Sequence, residues 1–244
     1  MGDDVVELAR DPPAFLGDGT VCRGDRVLLG LMRRFHPGDA SATVAAVEVQ
    51  RVADGLWHWT APHPEWKPGD DWERDVGCVY WEAGDAVVLV DPLVPTGDAD
   101  RARFLEALDR DVERVALPVA ILVTCEWHGR SQAELAERYD ARVFTPPTAE
   151  RLPGDATALD MPEEVVYWLP AARALVPGDT LLGTPDGLTL CPASWFDDRG
   201  SIDELARNLA PLLDLPVERV LTTHGPPVLA DGHAALARAL SASA

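Results

Sequence analysis

Lysine is almost missing from this chain of 244 residues: Lys67 is the single example among 21 basic side chains, which face 41 acidic ones and leave a formal charge of −20. With a pI near 4.5, such a polyanion is repelled by phosphate backbones and by anionic lipid, so neither nucleic acid nor a membrane surface is expected as a partner. Long apolar runs are lacking too. The longest, Val27 to Met32, Ala86 to Val90 and Val119 to Val123, fall far short of the roughly 20 residues a membrane span requires. The first ten residues carry Asp3 and Asp4 where a secretory leader would be basic, and a cytoplasmic setting is expected. Cysteine is sparse and scattered. Cys22, Cys78, Cys125 and Cys191 form no C-x-x-C pair, which excludes a disulfide framework or a zinc ribbon and leaves most of them as reduced structural thiols.

What is present is enough apolar material, 47% of residues, to bury a full core without covalent staples. Residues 1–43 are repeatedly interrupted by Gly, Pro and Asp and read as an N-terminal extension, partly disordered. Residues 44–244 read as one globular domain. Within it Val44 to Arg51 and Gly55 to Thr60 are expected strands, and a loop from Pro62 to Asp75 carries Trp66 and Trp72. From Ala86 to Thr145 the order is β-α-β-α-β, which by the handedness of crossovers builds a parallel sheet. Ser131-Gln-Ala-Glu134 and Ser201-Ile-Asp-Glu204 are capping boxes, in which the serine hydroxyl accepts from the glutamate amide. The second predicted helix runs through Leu213. The strands Val165 to Leu169, Ala174 to Val176, Leu181 to Leu182, Leu188 to Cys191 and Arg219 to Thr223 make a second β-rich half, closed by a helix from Ala234 to Leu240. Two such halves predict an α/β (α+β) protein built as an αββα four-layer sandwich.

Ligands of such sheets sit beyond the carboxyl ends of strands, where loops converge. Four of those ends are polar here: Asp91, Cys125-Glu-Trp-His-Gly-Arg130, Pro177-Gly-Asp179, and His224-Gly225. Asp91 is read as a strand-end carboxylate bonding loop amides. From about Val44 to Leu240 the order of elements resembles the metallo-β-lactamase fold superfamily, in which strand-LVD, strand-T-H-x-H-x-D-H-helix, a lone His, strand-GD and strand-SHG follow one another. The matching stretches are Val88-Leu-Val-Asp91, Val123-Thr124-Cys125 onward, Gly178-Asp179 and Thr223-His224-Gly225. The resemblance implies the same sandwich and a zinc hydrolase.

The departures are specific. Cys125, Trp127, Gly129 and Arg130 stand where the motif has its four ligands, and the lone histidine has no counterpart near Leu169 to Ala171. Only Asp179 and His224 match the family's ligand set. Two ligands do not hold two ions, and Arg130 is expected to place a fixed cation opposite Asp179, where the second ion would lie. The dinuclear site is therefore read as largely lost, with no cofactor or a single zinc ion.

Three readings follow. In the first, Asp179 and His224 hold one zinc together with His128 or Cys125, the loop aiming one or the other inward, and the substrate is a small ester, thioester or amide. In the second, Cys125 is a metal-free nucleophile, with His128 or His224 as general base and Arg130 lowering the thiol pKa. The third is a non-catalytic module for a small molecule or a protein: Arg130 pairs with Asp179, and Trp66, Trp72, Trp127 and Trp195 wall a pocket for an anionic or amphipathic ligand. The catalytic candidates are thus Cys125, His128, Asp179 and His224, and the ligand-binding ones are Arg130, Trp127 and Trp66.

Overall fold

The computed structural model describes residues 47–147, 150–162, 164–195 and 201–242. The extension expected over 1–43, with Cys22, lies outside the described residues. The first sheet has six strands in sequence order: β1 (Glu48–Ala53), β2 (Leu56–Pro62), β3 (Asp75–Glu82), β4 (Val87–Val90), β5 (Val119–Leu122) and β6 (Arg142–Phe144). β1 to β4 pair antiparallel, with short turns after β1 and β3 and the long loop carrying Trp66 and Trp72 between β2 and β3, whereas β4, β5 and β6 are parallel, as the two helical crossovers demand. Those crossovers are α1 (Asp98–Val115) and α2 (Gln132–Tyr139).

The second sheet has the order β12-β9-β8-β7, made of β7 (Thr157–Asp160), β8 (Val165–Leu169), β9 (Ala174–Val176) and β12 (Arg219–Val220). A hairpin of β10 (Leu181–Thr184) and β11 (Gly187–Leu190) extends this half, and α3 (Ile202–Leu209) and α4 (Gly232–Ser241) cover it.

Alternation along each strand sorts side chains into three cores. Val79, Trp81, Val88, Val90 and Leu122 meet Tyr167, Leu169 and Val176 between the sheets. Trp57, Trp59, Tyr80, Leu89 and Ile121 point the other way, onto Phe104, Leu108 and Leu135 of the first helix layer. Val166, Trp168 and Leu175 face Leu205, Leu209 and Leu236 of the second. The expected four-layer αββα sandwich is what forms.

Two helix expectations need correction. Ser131 does not cap its own helix; its hydroxyl accepts instead from Val94 N at 2.9 Å, tying the loop after β4 to the start of α2. Ser201 does accept from Glu204 N, at 3.2 Å. The helix it opens ends at Leu209 and tightens into a 3-10 turn over Ala210–Asp214, because Pro211 has no N–H to continue the ladder.

One internal polar group joins the halves. His58 is buried, and its Nε2 donates to the Thr222 carbonyl at 3.1 Å; burial pushes its pKa from the ordinary 6.5 down to about 4. The unfolded chain therefore binds a proton in this window that the folded chain does not, and the contribution is intact above pH 6.5 and lost as the pH falls toward 4. The shift corresponds to about 3 kcal/mol. Urea unfolding of wild type and His58→Gln between pH 4 and 7 is expected to show a shallower acid loss in the variant, which keeps a donor for Thr222 but does not titrate. Parallel pH profiles would contradict this.

Candidate functional site

The loops after β4, β5, β9 and β12 converge at one end of the sandwich. Backbone bonds hold them there: Gly77 N to Thr223 O at 2.6 Å, Val165 N to Thr124 O at 2.8 Å and Gly183 N to His224 O at 2.8 Å. Asp91 organises the first two loops. It is buried at φ 46°, and its Oδ1 accepts from Thr124 N at 2.8 Å. Its Oδ2 accepts from the Thr124 hydroxyl at 2.5 Å and lies 3.0 Å from His128 Nδ1. Nδ1 is also 2.8 Å from Thr124 Oγ1, so this nitrogen carries the proton and shares it between the two oxygens. The 3-10 turn Glu126–Gly129, closed by His128 N to Cys125 O, brings the ring round so that Nε2 faces the second half of the molecule.

What Nε2 faces is Asp179. The Asp179 Oδ1 atom is 3.3 Å from His128 Nε2 and 3.3 Å from His224 Nε2, yet is buried with no hydrogen-bond donor, while Oδ2 accepts from Trp127 Nε1 at 2.6 Å. Two ligands of one tetrahedral zinc, with bonds of about 2.1 Å, lie about 3.4 Å apart. A charged N–H···O⁻ bond is shorter, about 2.8 Å. Cys125 Sγ belongs to the same group: Cys125, His128 and Asp179 offer donor atoms all within 4.8 Å of one another. The loop thus aims both Cys125 and His128 inward, against the expectation that it would aim one. The 3-10 turn explains this, since it folds residue 128 back over residue 125.

The electrostatics follow from burial and pairing. Desolvation disfavours a charged His128, but Asp91 and Asp179 outweigh it and hold its pKa well above the ordinary value. Burial works against an ionised Asp179 too, yet His128, His224 and Trp127 together lower its pKa. Burial raises the Cys125 thiol, with only His128 opposing, so the thiol is not activated. Arg130 gives it no help. Its NH1 donates to the carbonyls of Gly77 at 3.1 Å and Asp91 at 3.0 Å and lies 3.7 Å from Cys78 Sγ, so the expected charge pair with Asp179 does not form. Its left-handed backbone, φ 34°, turns the side chain toward β3 instead.

Glu164 is the residue the sequence did not flag. It is fully buried and receives Gly178 N at 3.3 Å, Thr180 N at 3.2 Å, the Asp179 amide and the Thr180 hydroxyl, so one carboxylate fixes the turn that presents Asp179. Burial, aided by Asp179, pushes its pKa up to about 7. An acid directly before the wholly apolar strand Val165–Leu169 was the available signal.

A cavity of about 760 Å³ lies over these groups. Trp72, Trp127 and Trp195 line it, but Trp66 does not; the Trp66 indole donates to the Trp72 carbonyl at 2.9 Å and braces the loop from behind. Trp72 and Trp195 flank the His224 ring edge to face, with centroids 5.7 and 5.5 Å away, and Trp195 Nε1 donates to Asp71 Oδ2 at 2.9 Å.

No protein-family model and no curated protein matches the chain. Solved structures do. A metallo-β-lactamase from Erythrobacter litoralis is 16% identical with a TM-score of 0.53, over 82% of this chain and 92% of that one. The same protein with β-mercaptoethanol in its active site gives 14% and 0.54, over 83% and 98%. The DIM-1 metallo-β-lactamase exposed to ceftazidime gives 13% and 0.52, over 83% and 100%. At these identities the likeness speaks of architecture and not of chemistry. No helix among the described residues is long and apolar enough to cross a membrane. Element order, the two sheets with their helix layers and these structural matches agree that the chain has the metallo-β-lactamase fold.

Proposed function

We propose that the protein is a hydrolase of a small ester, thioester or amide that works with a single zinc ion held by Cys125, His128 and Asp179. The observation that carries this reading is the buried Asp179 Oδ1, which has no donor of its own and sits at ligand-to-ligand spacing from His128 Nε2. The donor set of thiol, imidazole and carboxylate suits zinc. The Asp91 carboxylate on His128 Nδ1 is the outer support that metal-binding histidines ordinarily have. Zinc, when bound, supplies a Lewis acid that polarises the scissile carbonyl and acidifies water. The chain's own residues do the rest: Trp127 fixes the far oxygen of Asp179, His224 backs the near one, and Glu164 holds the turn beneath. Gly129 and Arg130 stand where the motif has two further ligands, and the described residues bring together one group of three donors, which is why one ion rather than two is proposed.

The test is elemental analysis after reconstitution with excess zinc. About one ion per chain is expected for wild type and less than about 0.2 for Asp179→Ala, with hydrolysis of a panel of small thioesters and esters falling in step. Wild type staying below about 0.2 would end this reading. One observation favours a second: Asp91 faces His128 Nδ1 and Asp179 faces Nε2, so an imidazolium with a proton on each nitrogen would serve both carboxylates without a metal. On that reading the cavity binds a small molecule and catalyses nothing.

A further inference from the structure

One polar side chain of the cavity wall stands apart from the proposed zinc ligands. His63 follows β2 directly, and its backbone is pinned on both sides: its N–H donates to the Arg74 carbonyl at 2.8 Å and its carbonyl accepts from Trp66 N at 3.2 Å. The half-buried ring lines the cavity and meets Trp72 edge to face, with centroids 5.3 Å apart. Its Nδ1 accepts from the Glu65 amide at 3.3 Å. A neutral imidazole that accepts at Nδ1 carries its proton on Nε2, and a charged one carries a proton there as well. Burial, then the Arg130 guanidinium, lower the pKa of this ring and favour its neutral form. Nε2 thus bears a hydrogen in either state, and no described residue accepts from it.

The rest of the wall narrows what this N–H can meet. The indole N–H groups of Trp127 and Trp195 are spent on Asp179 and Asp71, so both rings offer the cavity carbon surface. Val76, Met161 and Leu205 add further apolar wall. Among the described lining residues Arg130 is the one guanidinium or ammonium, and its NH1 donates to two carbonyls. The anionic ligand expected from the sequence depended on that side chain being free, and the charge of −20 repels anions in any case. Trp72 lies edge to face against both His63 and His224, so His63 stands two ring contacts from His224, the neighbour of Asp179.

We infer that His63 is a specificity-determining residue of this cavity: its Nε2–H donates to an uncharged acceptor, a carbonyl or ether oxygen, on a part of the substrate remote from the scissile bond. The apolar body of the substrate lies against Trp127 and Trp195. Because backbone, Nδ1 and Trp72 hold the ring before anything binds, the bond costs little ordering. A ligand that covers this N–H without accepting from it strips off its water and returns nothing, so the site selects against plain hydrocarbon as well as for an acceptor. The inference rests on the proposed reading of this cavity as the substrate site, but not on the ion.

The experiment compares three probes of one shape, acetophenone, isopropenylbenzene and benzoate, by titration into the full-length protein, chelator-treated and zinc-loaded, with imidazole nitrogen NMR as a second readout. In the chelator-treated protein acetophenone is expected to bind about threefold to tenfold more tightly than isopropenylbenzene, and benzoate more weakly than acetophenone. The His63 Nε2 proton should move downfield with acetophenone and not with the hydrocarbon. His63→Phe keeps a ring against Trp72 and is expected to bring the two neutral probes within about twofold of each other by weakening acetophenone alone. His63→Gln, which restores an N–H, should recover part of the preference. No binding of acetophenone, no preference in wild type, benzoate bound as tightly, a preference that survives His63→Phe, or a loss of both neutral probes alike in that variant would each overturn the inference. Because both forms are titrated, a protein that takes up zinc but shows no acceptor preference refutes this inference alone. A preference that persists without zinc uptake refutes the metal reading alone.

Discussion

Asp91→Ala is expected to lower stability by about 4 kcal/mol and, in the same variant, to weaken zinc binding by about ten- to a hundredfold. Among the described residues Asp91 is the one acceptor for Thr124 N, the one carboxylate on the Thr124 hydroxyl and one of two acceptors for His128 Nδ1. Removing it strands these donors in a core where water does not reach them, and stranded groups cost far more than an average hydrogen bond returns. Asp91→Asn separates charge from geometry. Asparagine tolerates the left-handed φ of 46° and keeps one acceptor oxygen, so about half the stability loss is expected, while His128 still loses its anionic partner. Urea unfolding gives the first number and competition with a zinc chelator the second. A variant as stable as wild type would mean that the carboxylate is incidental to the loop it binds.

Gly183→Ala is expected to act on the other half of the site, by displacing His224. A methyl at residue 183 would lie 2.0 Å from the Pro226 carbonyl oxygen and 2.8 Å from Pro226 N and C, and all three are backbone atoms that no rotamer change can move aside. Across the same contact Gly225, at φ 72°, brings its own Cα side within 2.1 Å of the Gly183 oxygen for any added methyl. The two glycines let β10 run against the turn after β12, close enough for Gly183 N to reach the His224 carbonyl at 2.8 Å. Forcing them apart costs about 3 kcal/mol or more and carries His224 away from Asp179. Gly97→Ala is the control: its methyl meets nothing nearer than 3.8 Å, and a change within about 1 kcal/mol is expected. If both variants unfold at the same urea concentration, the close approach is not what positions the histidine.

The layers were legible because they are written in apolar periodicity. Val87–Val90 and Val119–Leu122 are buried throughout and could only be central strands, and the spacing between them required a helical crossover. β7 was missed since its residues, Thr157–Asp160, are exposed or half-buried at an edge and carry no apolar run. The strand-end rule brought Asp91, the 125–130 loop, Asp179 and His224 to one place, and that is where they stand. The same rule hid Glu164. It looks only at carboxyl ends, and Glu164 precedes β8; but β8 runs antiparallel to β9, so its first residue sits beside the last residues of β9 and next to Asp179. Arg130 failed for another reason. A residue's place in a motif says which loop it is on, whereas φ decides which way it leaves that loop, and an arginine at positive φ is not foreseeable from composition.

The proposed ligands come from two separate pieces of architecture: Cys125 and His128 follow a strand of the six-stranded sheet, Asp179 a strand of the four-stranded one. An ion held there as proposed would act as a rivet across a seam, its binding energy shared by both plates rather than held by either. Slippage of one half against the other by a fraction of an ångström would leave each half intact and still dissolve the chemistry, so the accuracy of the centre is inherited from the oil between the sheets.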